Sequence, residues 1–318
     1  MKMQEKNPPV ETGTPKKAAI QKIRPCLWFS NEAGEAAAFY TSLFNESGIG
    51  RISYYGEAGQ DVHHMEPGTV LSVDFQLEDF QFTALNAGPH FKFTPAISFF
   101  INCETEEEID RLWASLSAGG IALMPLDKYP FSEKYGWIQD QYGLSWQLNL
   151  CHGNAKIVPS LLFVGQQNGQ AEEAIHFYTS VFDNSSVGEL SRYKEGEGGT
   201  PGTLNYAAFN LNGQQFAAMD SSLAHDFGFT EAISLMIECQ TQNEVDYFWD
   251  KLSAGGDLNA QQCGWLKDKY GVSWQVVPSM MAEMIGDPDV KKSGRVMEAM
   301  MQMKKLDIAE LRRAYESS

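Results

Sequence analysis

The sequence predicts an α+β fold made of four βαβββ units, arranged as two tandem domains and followed by a helical tail. The first observation is internal repetition. Phe39-Tyr40-Thr41-Ser42 returns as Phe177-Tyr178-Thr179-Ser180, Leu116-Ser117-Ala118-Gly119-Gly120 returns as Leu252-Ser253-Ala254-Gly255-Gly256, and residues 136–147 return as 264–275. A repeat of roughly 135 residues is a whole domain rather than a solenoid unit. The second observation is that each copy alternates short period-2 runs with stretches of helical period. The third is size: 318 residues at 43% apolar content can bury two ordinary cores.

The elements follow in order. Residues 1–20, with Pro8, Pro9 and Pro15 among scattered charges, lack apolar periodicity and read as a disordered lead. The first domain runs from 23 to 150 and the second from 157 to 278, and their short connector implies that they touch. Cys26–Phe29 is an apolar strand, and Ala36, Phe39, Tyr40, Leu43 and Phe44 mark one face of a helix. Leu71, Val73, Phe75 and Leu77 alternate with polar residues, as in a strand with one buried face. Ile97–Ile101 opens the next unit. Its helix carries Ile109, Leu112, Trp113 and Leu116, with Thr105 and Glu108 as a capping box and Gly119-Gly120 as the stop. Thr241, Glu244, Val245, Phe248, Trp249, Leu252 and Gly255-Gly256 repeat that device. In the tail, 279–318, Asp287-Pro288 is expected to start a helix with Met297, Met300 and Met301 on one side. Methionines there suit either core packing or a partner surface, and a homo-oligomer through the tail is one expectation.

Composition excludes several classes. A net charge of −17 with no Lys/Arg cluster opposes a nucleic-acid partner and an anionic membrane surface. No apolar run approaches the length that spans a bilayer, and the first residues resemble no secretory signal, so a cytoplasmic protein is expected. The odd count of five cysteines, without a Cys-x-x-Cys pair, provides neither a disulfide framework nor a zinc-ribbon spacing.

Tandem βαβββ units, a first helix ending Phe-Tyr-x-x-Leu-Phe and a closing Asp-x-Tyr-Gly-x-Ser-Trp-Gln together resemble the vicinal oxygen chelate superfamily of glyoxalase I, extradiol dioxygenases and bleomycin-resistance proteins. The run from Leu85 to Phe93, the stretch from Gly264 to Gln275 and the tail Arg295-Val296-Met297-Glu298-Ala299-Met300 are similar to the PhnB-like branch, often labelled 3-demethylubiquinone-9 3-methyltransferase-like. The resemblance implies curled sheets forming incomplete barrels around a small-molecule cavity. The methyltransferase label has no physical counterpart in the sequence. A nucleoside-binding loop should follow a strand and open a helix, whereas the Gly-rich run 196–202 reads as a hairpin loop between strands.

The resemblance also implies where a divalent ion would sit. It places the usual first-strand His at Pro25 and Pro159, finds no imidazole or carboxylate at 96–98 or 232–234, and puts Gln147 and Gln275 where a final-strand Glu often stands. Amide oxygens alone are weak ligands, so neither a metal nor another cofactor is expected. His63-His64, beside Asp61 and Glu66, reads as a solvated loop, and His152 and His176 as ordinary surface residues.

Pocket candidates are His90 with Phe91 and Phe93, Phe227 and Phe229 after His225, and Trp137, Trp146, Gln147, Trp265, Trp274 and Gln275 on the closing strands, where core packing explains the tryptophans equally well. Cys263 stands at the repeat position of Tyr135 and is either an inert thiol or a pocket residue. Single-domain relatives tend to carry the His-Phe-x-Phe run and the Cys together, so the resemblance implies unequal cavities, and if the two domains pack like the protomers of a dimeric relative, His90 and Cys263 could meet in a single hybrid cavity. The expected function is metal-independent binding of a small metabolite. A metal-dependent glyoxalase or dioxygenase and an interaction protein using the Met-rich tail are the alternatives.

Overall fold

The computed structural model describes residues 21–57, 60, 64–151 and 155–317; the expected disordered lead, Asp61, His63 and His152 lie outside them. The first unit contains β1 (Ile23–Phe29), α1 (Ala33–Leu43), β2 (Gly48–Tyr54), β3 (Val70–Leu77) and β4 (Phe80–Asn86). The second contains β5 (Ile97–Cys103), α2 (Glu106–Ser117), β6 (Ile121–Tyr129), β7 (Ser132–Gln139) and β8 (Ser145–Leu150). The third has β9 (Ile157–Val164), α3 (Ala171–Val181), β10 (Ser186–Arg192), β11 (Leu204–Leu211) and β12 (Gln214–Ser221). The fourth has β13 (Ile233–Cys239), α4 (Gln242–Ser253), β14 (Asp257–Gln262), β15 (Trp265–Lys267) and β16 (Ser273–Pro278), and the tail adds α5 (Met281–Ile285), α6 (Val290–Met301) and α7 (Ile308–Glu316). Four βαβββ units are therefore present, and the Gly-rich run 196–202 lies between β10 and β11.

Neither repeat makes a sheet of its own. One eight-stranded sheet has the order β14-β15-β16-β13-β1-β4-β3-β2 and joins units one and four; the other, β10-β11-β12-β9-β5-β8-β7-β6, joins units two and three. The seams are antiparallel, with Cys26 opposite Ser234 on β1 and β13 and Ser98 opposite Ser160 on β5 and β9. Pro25 and Pro159 sit inside these central strands, where a missing N–H is normally excluded. Trp28 N–H bonds Ala232 O and Leu162 N–H bonds Ala96 O. Counting back from these by twos, as an antiparallel ladder alternates, puts both prolines in non-hydrogen-bonded pairs with Leu235 and Phe99. The parallel ladders on their other side begin one residue later, at Cys26 and Ser160, so neither proline leaves a bond unmade. The crossovers between sheets clasp each other: Thr94 Oγ1 donates to Gly228 O at 2.7 Å and Thr230 Oγ1 to Lys92 O at 2.9 Å.

The sequence motifs that repeat most faithfully form a pin between the sheets. Asp140, in the turn between β7 and β8, accepts from the N–H groups of Tyr142 and Leu144 at 2.9 and 3.1 Å. Its other oxygen accepts from Tyr40 O–H of α1 and from Trp146 Nε1, both at 2.8 Å. Asp268 repeats this with Tyr270, Val272, Tyr178 and Trp274. Because α1 packs on the first sheet and Asp140 belongs to the second, the carboxylate bridges the two layers inside one repeat. The helix-facing sides of both sheets share a single hydrophobic core, in which Phe82 meets Phe99 with ring centroids 5.1 Å apart.

The helix signals in the sequence are realised with two refinements. Thr105 and Thr241 cap α2 and α4 through the N–H groups of Glu108 and Glu244. The returning carboxylates, however, bind the N–H of Glu104 and Gln240, one residue earlier than in a strict capping box. Gly120 and Gly256 must remain glycine, since a Cβ there would lie 2.4 and 2.1 Å from the carbonyl oxygens of Gln139 and Lys267. In the tail, the cap of α6 is Asp289 rather than Asp287, which instead accepts from Asp289 N–H and Tyr315 O–H. Met281, Val296, Leu306 and Leu311 form a small second core with Met284, Met300 and Met303 packed against it. That core is fastened to unit four: Cys263 and Gly264 N–H donate to Met303 and Lys304 carbonyls at 2.8 Å, and Gln242 of α4 bonds Leu306 O and Ile308 N–H.

Replacing Asp140 or Asp268 with Ala leaves four buried donors without an acceptor, and at about 1–3 kcal/mol for each unmade bond chemical denaturation should show a loss of about 3 kcal/mol or more. Burial pushes the carboxyl of Asp268 up to about 6, against the pull of Trp274, Tyr178 and two backbone N–H groups. A folded pKa above the unfolded one favours folding below both values, and that contribution is lost as pH rises through about 6. The stability advantage of wild type over Asp268→Asn should accordingly be larger at about pH 4.5 than at about pH 7.5; a pH-independent difference would show that Asp268 does not titrate in this range.

Candidate functional site

Strand alternation decides which side chains reach the two concave faces. On β1, Ile23, Leu27 and Phe29 join the core, which leaves Arg24, Cys26 and Trp28 on the opposite face. Pro25 and Pro159 share the parity of the core residues. The metal position that the resemblance implied there is thus turned toward the helices, and the residues facing the concavity are Cys26 in one sheet and Ser160 in the other. Ser234 and Met236 of β13, Gln275 of β16 and Trp265 and Lys267 of β15 complete the first concave face. Ser98 and Phe100 of β5, Gln147 of β8, and Tyr135 and Trp137 of β7 occupy the second.

The floor of the first hollow runs in one row through Trp265, Gln275, Met236 and Arg24, each opposite the next in register. Gln275 Nε2 donates to Ser234 Oγ at 2.8 Å, and Cys26 lies opposite Ser234. Trp28 and Trp265 belong to strands separated by β13 and β16, yet their rings meet edge to face with centroids 5.8 Å apart. Phe91 and His90 also approach Trp28, at 5.0 and 6.5 Å, and Gly88 O accepts from the Trp28 indole N–H at 2.8 Å. At the far end of the row, Arg24 pairs with Glu238 and lies 3.9 Å from Asp74, while its buried Nε has no partner among the described residues. Arg24 also lines an open cavity of about 560 Å³ together with Arg51, Asp74, Gln76 and Gln81.

The second hollow is built on the same pair but is filled differently. Gln147 Nε2 donates to Ser98 Oγ at 2.8 Å, and the buried Tyr135 donates its O–H to Gln147 Oε1 at 2.5 Å. Burial raises the Tyr135 phenol above its ordinary range, so it remains a donor. Trp137 Nε1 is held by Ser145 Oγ at 2.7 Å. Phe131, at the tip of the β6–β7 hairpin, rests its ring on Tyr135 at 5.1 Å. At the rim, Ser221 Oγ bonds His225 Nε2 at 2.8 Å, and the His225 and Phe227 rings are 4.7 Å apart.

The remaining candidates lie elsewhere. Trp146 and Trp274 are fully buried on the helix-facing side, with their N–H groups on Asp140 and Asp268. Phe93 and Phe229 pack on Phe29 and Phe163 of the core, at 5.1 and 5.2 Å. Cys263 has φ +53° and, with Gly264 at φ +86°, forms the two-residue turn between β14 and β15. Sequence reasoning missed Arg24, Cys26, Trp28, Ser98 and Ser234. Alternation counted outward from Leu27 would have found the first three, and the matched Ser-Gln pairs in both repeats carried the signal for the others. Among the described residues no three His, Cys, Asp or Glu side chains converge as a metal set would require.

This arrangement, paired βαβββ units whose curled sheets each combine two units, defines the glyoxalase-like class of folds. A glyoxalase I mutant from Zea mays shares it, with a TM-score of 0.51 over 81% of this chain and 92% of that one at 11% identity. The model of the 3-demethylubiquinone-9 3-methyltransferase family matches residues 21–149 and again 155–277, and the chain belongs to that PhnB-like family in two tandem copies. A putative 3-demethylubiquinone-9 3-methyltransferase, PhnB protein, from Bacillus cereus is 47% identical over 41% of this chain and 100% of its own, with a TM-score of 0.38. A protein from Staphylococcus aureus is 34% identical over 42% of this chain and 99% of its own, with a TM-score of 0.18. No curated protein matches the chain. No helix among the described residues is long and apolar enough to cross a membrane.

Burial pushes the thiol of Cys26 up to about 11 and those of Cys103 and Cys239 to about 12. Thiolates are the reactive form, so iodoacetamide at about pH 7.5 should label the native chain at the half-buried Cys151 and Cys263 long before the other three. Mass mapping that finds Cys26 among the fast sites would mean that the floor of the first hollow is open to solvent.

Proposed function

We propose that this chain is a cytoplasmic protein that binds a small, partly aromatic metabolite in the hollow of its first sheet without the aid of a metal. The observation that carries this reading is the first concave face itself: two tryptophans in edge-to-face contact beside a buried Gln275–Ser234 pair, in a row that ends at Arg24, a residue that also lines an open cavity. Apolar walls with a few fixed polar groups are the usual composition of a small-molecule site. Metal independence is supported by the donors available. Around the Gln275–Ser234 pair the concave positions carry Cys26, Trp28 and Trp265, and the carboxylates of that face, Asp74 and Glu238, lie at Arg24; a protonated thiol with amide and hydroxyl oxygens would hold a divalent ion poorly. Methyl transfer gains no support from the family's label: among the described residues the strand-to-helix loop with two glycines, Gly165 and Gly169 between β9 and α3, gives the N–H groups of Gly169 and Ala171 to Asp220 rather than presenting them to a nucleoside cofactor.

Native mass spectrometry and elemental analysis of the purified full chain test this together. The expected result is a substoichiometric metal content and an organic molecule, co-purified or captured from a metabolite extract, whose binding quenches tryptophan fluorescence and is weakened by Trp28→Ala. One tightly held zinc, nickel, iron or manganese per chain, removed by a chelator together with binding, would replace this reading with a metal-dependent glyoxalase or dioxygenase type.

A further inference from the structure

The two hollows share a receiving pair and differ in what reaches it. In the second, Gln147 is oriented by Ser98 and accepts the Tyr135 phenol at 2.5 Å. In the first, Gln275 is oriented by Ser234 in the same way, but Cys263 replaces Tyr135 in the repeat. The hairpin is also shorter: β14 ends at Gln262 and β15 starts at Trp265, so Cys263 belongs to the turn and its backbone is tied to Met303 of the tail. Among the described residues no phenol bonds Gln275 and its carboxamide oxygen accepts no hydrogen bond, although the residue is only 7% exposed and its side chain also meets the buried Cys26 thiol. The adjoining wall differs as well. Trp137 is anchored to Ser145, whereas among the described residues Trp265 makes no such bond and leans across to Trp28.

Building on the small-molecule reading above, we propose that the first hollow takes a hydroxylated aromatic ring, a phenol, and that Tyr135 is its built-in counterpart in the second. The ligand's O–H is donated to Gln275 Oε1 as the Tyr135 O–H is donated to Gln147 Oε1. Its ring lies against Trp265 and Met236, the neighbours of Gln275 across the sheet. Each chain has one such site, because the second hollow is occupied by its own side chain. A buried acceptor that lacks its donor is penalised, so a site of this kind discriminates against the same ring without its hydroxyl.

The test is calorimetric titration of the full chain with 4-methylphenol, which is the tyrosine side chain itself, and with toluene and 4-methylanisole. Expected are one 4-methylphenol per chain, at least about tenfold weaker binding of the two probes that cannot donate, and a similar loss for 4-methylphenol, but not for toluene, in Gln275→Met. Tyr135→Ala should raise the stoichiometry from one to two and give a variant whose melting temperature recovers on adding 4-methylphenol. Equal binding of 4-methylphenol and toluene, indifference to Gln275→Met, or two sites in the wild type would overturn the proposal. Should those results appear while another molecule still quenches the tryptophans in a Trp28-dependent way, the phenol assignment falls and the small-molecule reading stands.

Discussion

Two buried carboxylates, Asp140 and Asp268, hold the architecture at its most demanding points. Each lies in a tight turn of one sheet and reaches a tyrosine on a helix that belongs to the other, so both layers of a repeat depend on one side chain. A carboxylate in this position is costly to desolvate, and four converging donors offset that cost. This explains why the helix ending Phe-Tyr and the closing Asp-x-Tyr-Gly-x-Ser-Trp travel together through the duplication. They are the two halves of a single contact, and a change in either strands the other.

The exchange of units between repeats turns that contact into a functional constraint. Trp28 comes from the first unit and Gln275 from the fourth, so the first hollow exists only because β1 and β13 close a seam between segments more than 200 residues apart in sequence. The prolines are compatible with the seam because they sit where the ladder asks for no N–H. The paired crossovers, through Thr94 and Thr230, fix how one sheet is set against the other.

Duplication has allowed the halves to diverge around a constant pair. Gln147–Ser98 and Gln275–Ser234 are superimposable in chemistry, yet a long hairpin delivers Tyr135 to the first and a short one withholds Cys263 from the second. The shortened hairpin is held by the tail, whose small methionine-rich core covers its turn. The tail thus belongs structurally to the fourth unit and sets the backbone from which Trp265 projects.

The sequence by itself determined the local elements and their count. Periodicity set the order of elements in the four units and placed β1, α1, β3 and β5, the Thr caps and Gly-Gly stops located α2 and α4, and the repeated motifs led to the family. These features are legible because each depends on residues within about one or two turns of each other. Only the tertiary structure decided which units share a sheet, because strand pairing between distant segments leaves no mark in local spacing. It also decided which tryptophans face a hollow. Trp146 and Trp265 both read as aromatic residues on closing strands, and one step of strand parity sends the first to a buried aspartate and the second to Trp28. Gln147 and Gln275 are identical letters in matching frames; the difference between them lies in Tyr135, which folding brings to one and not to the other.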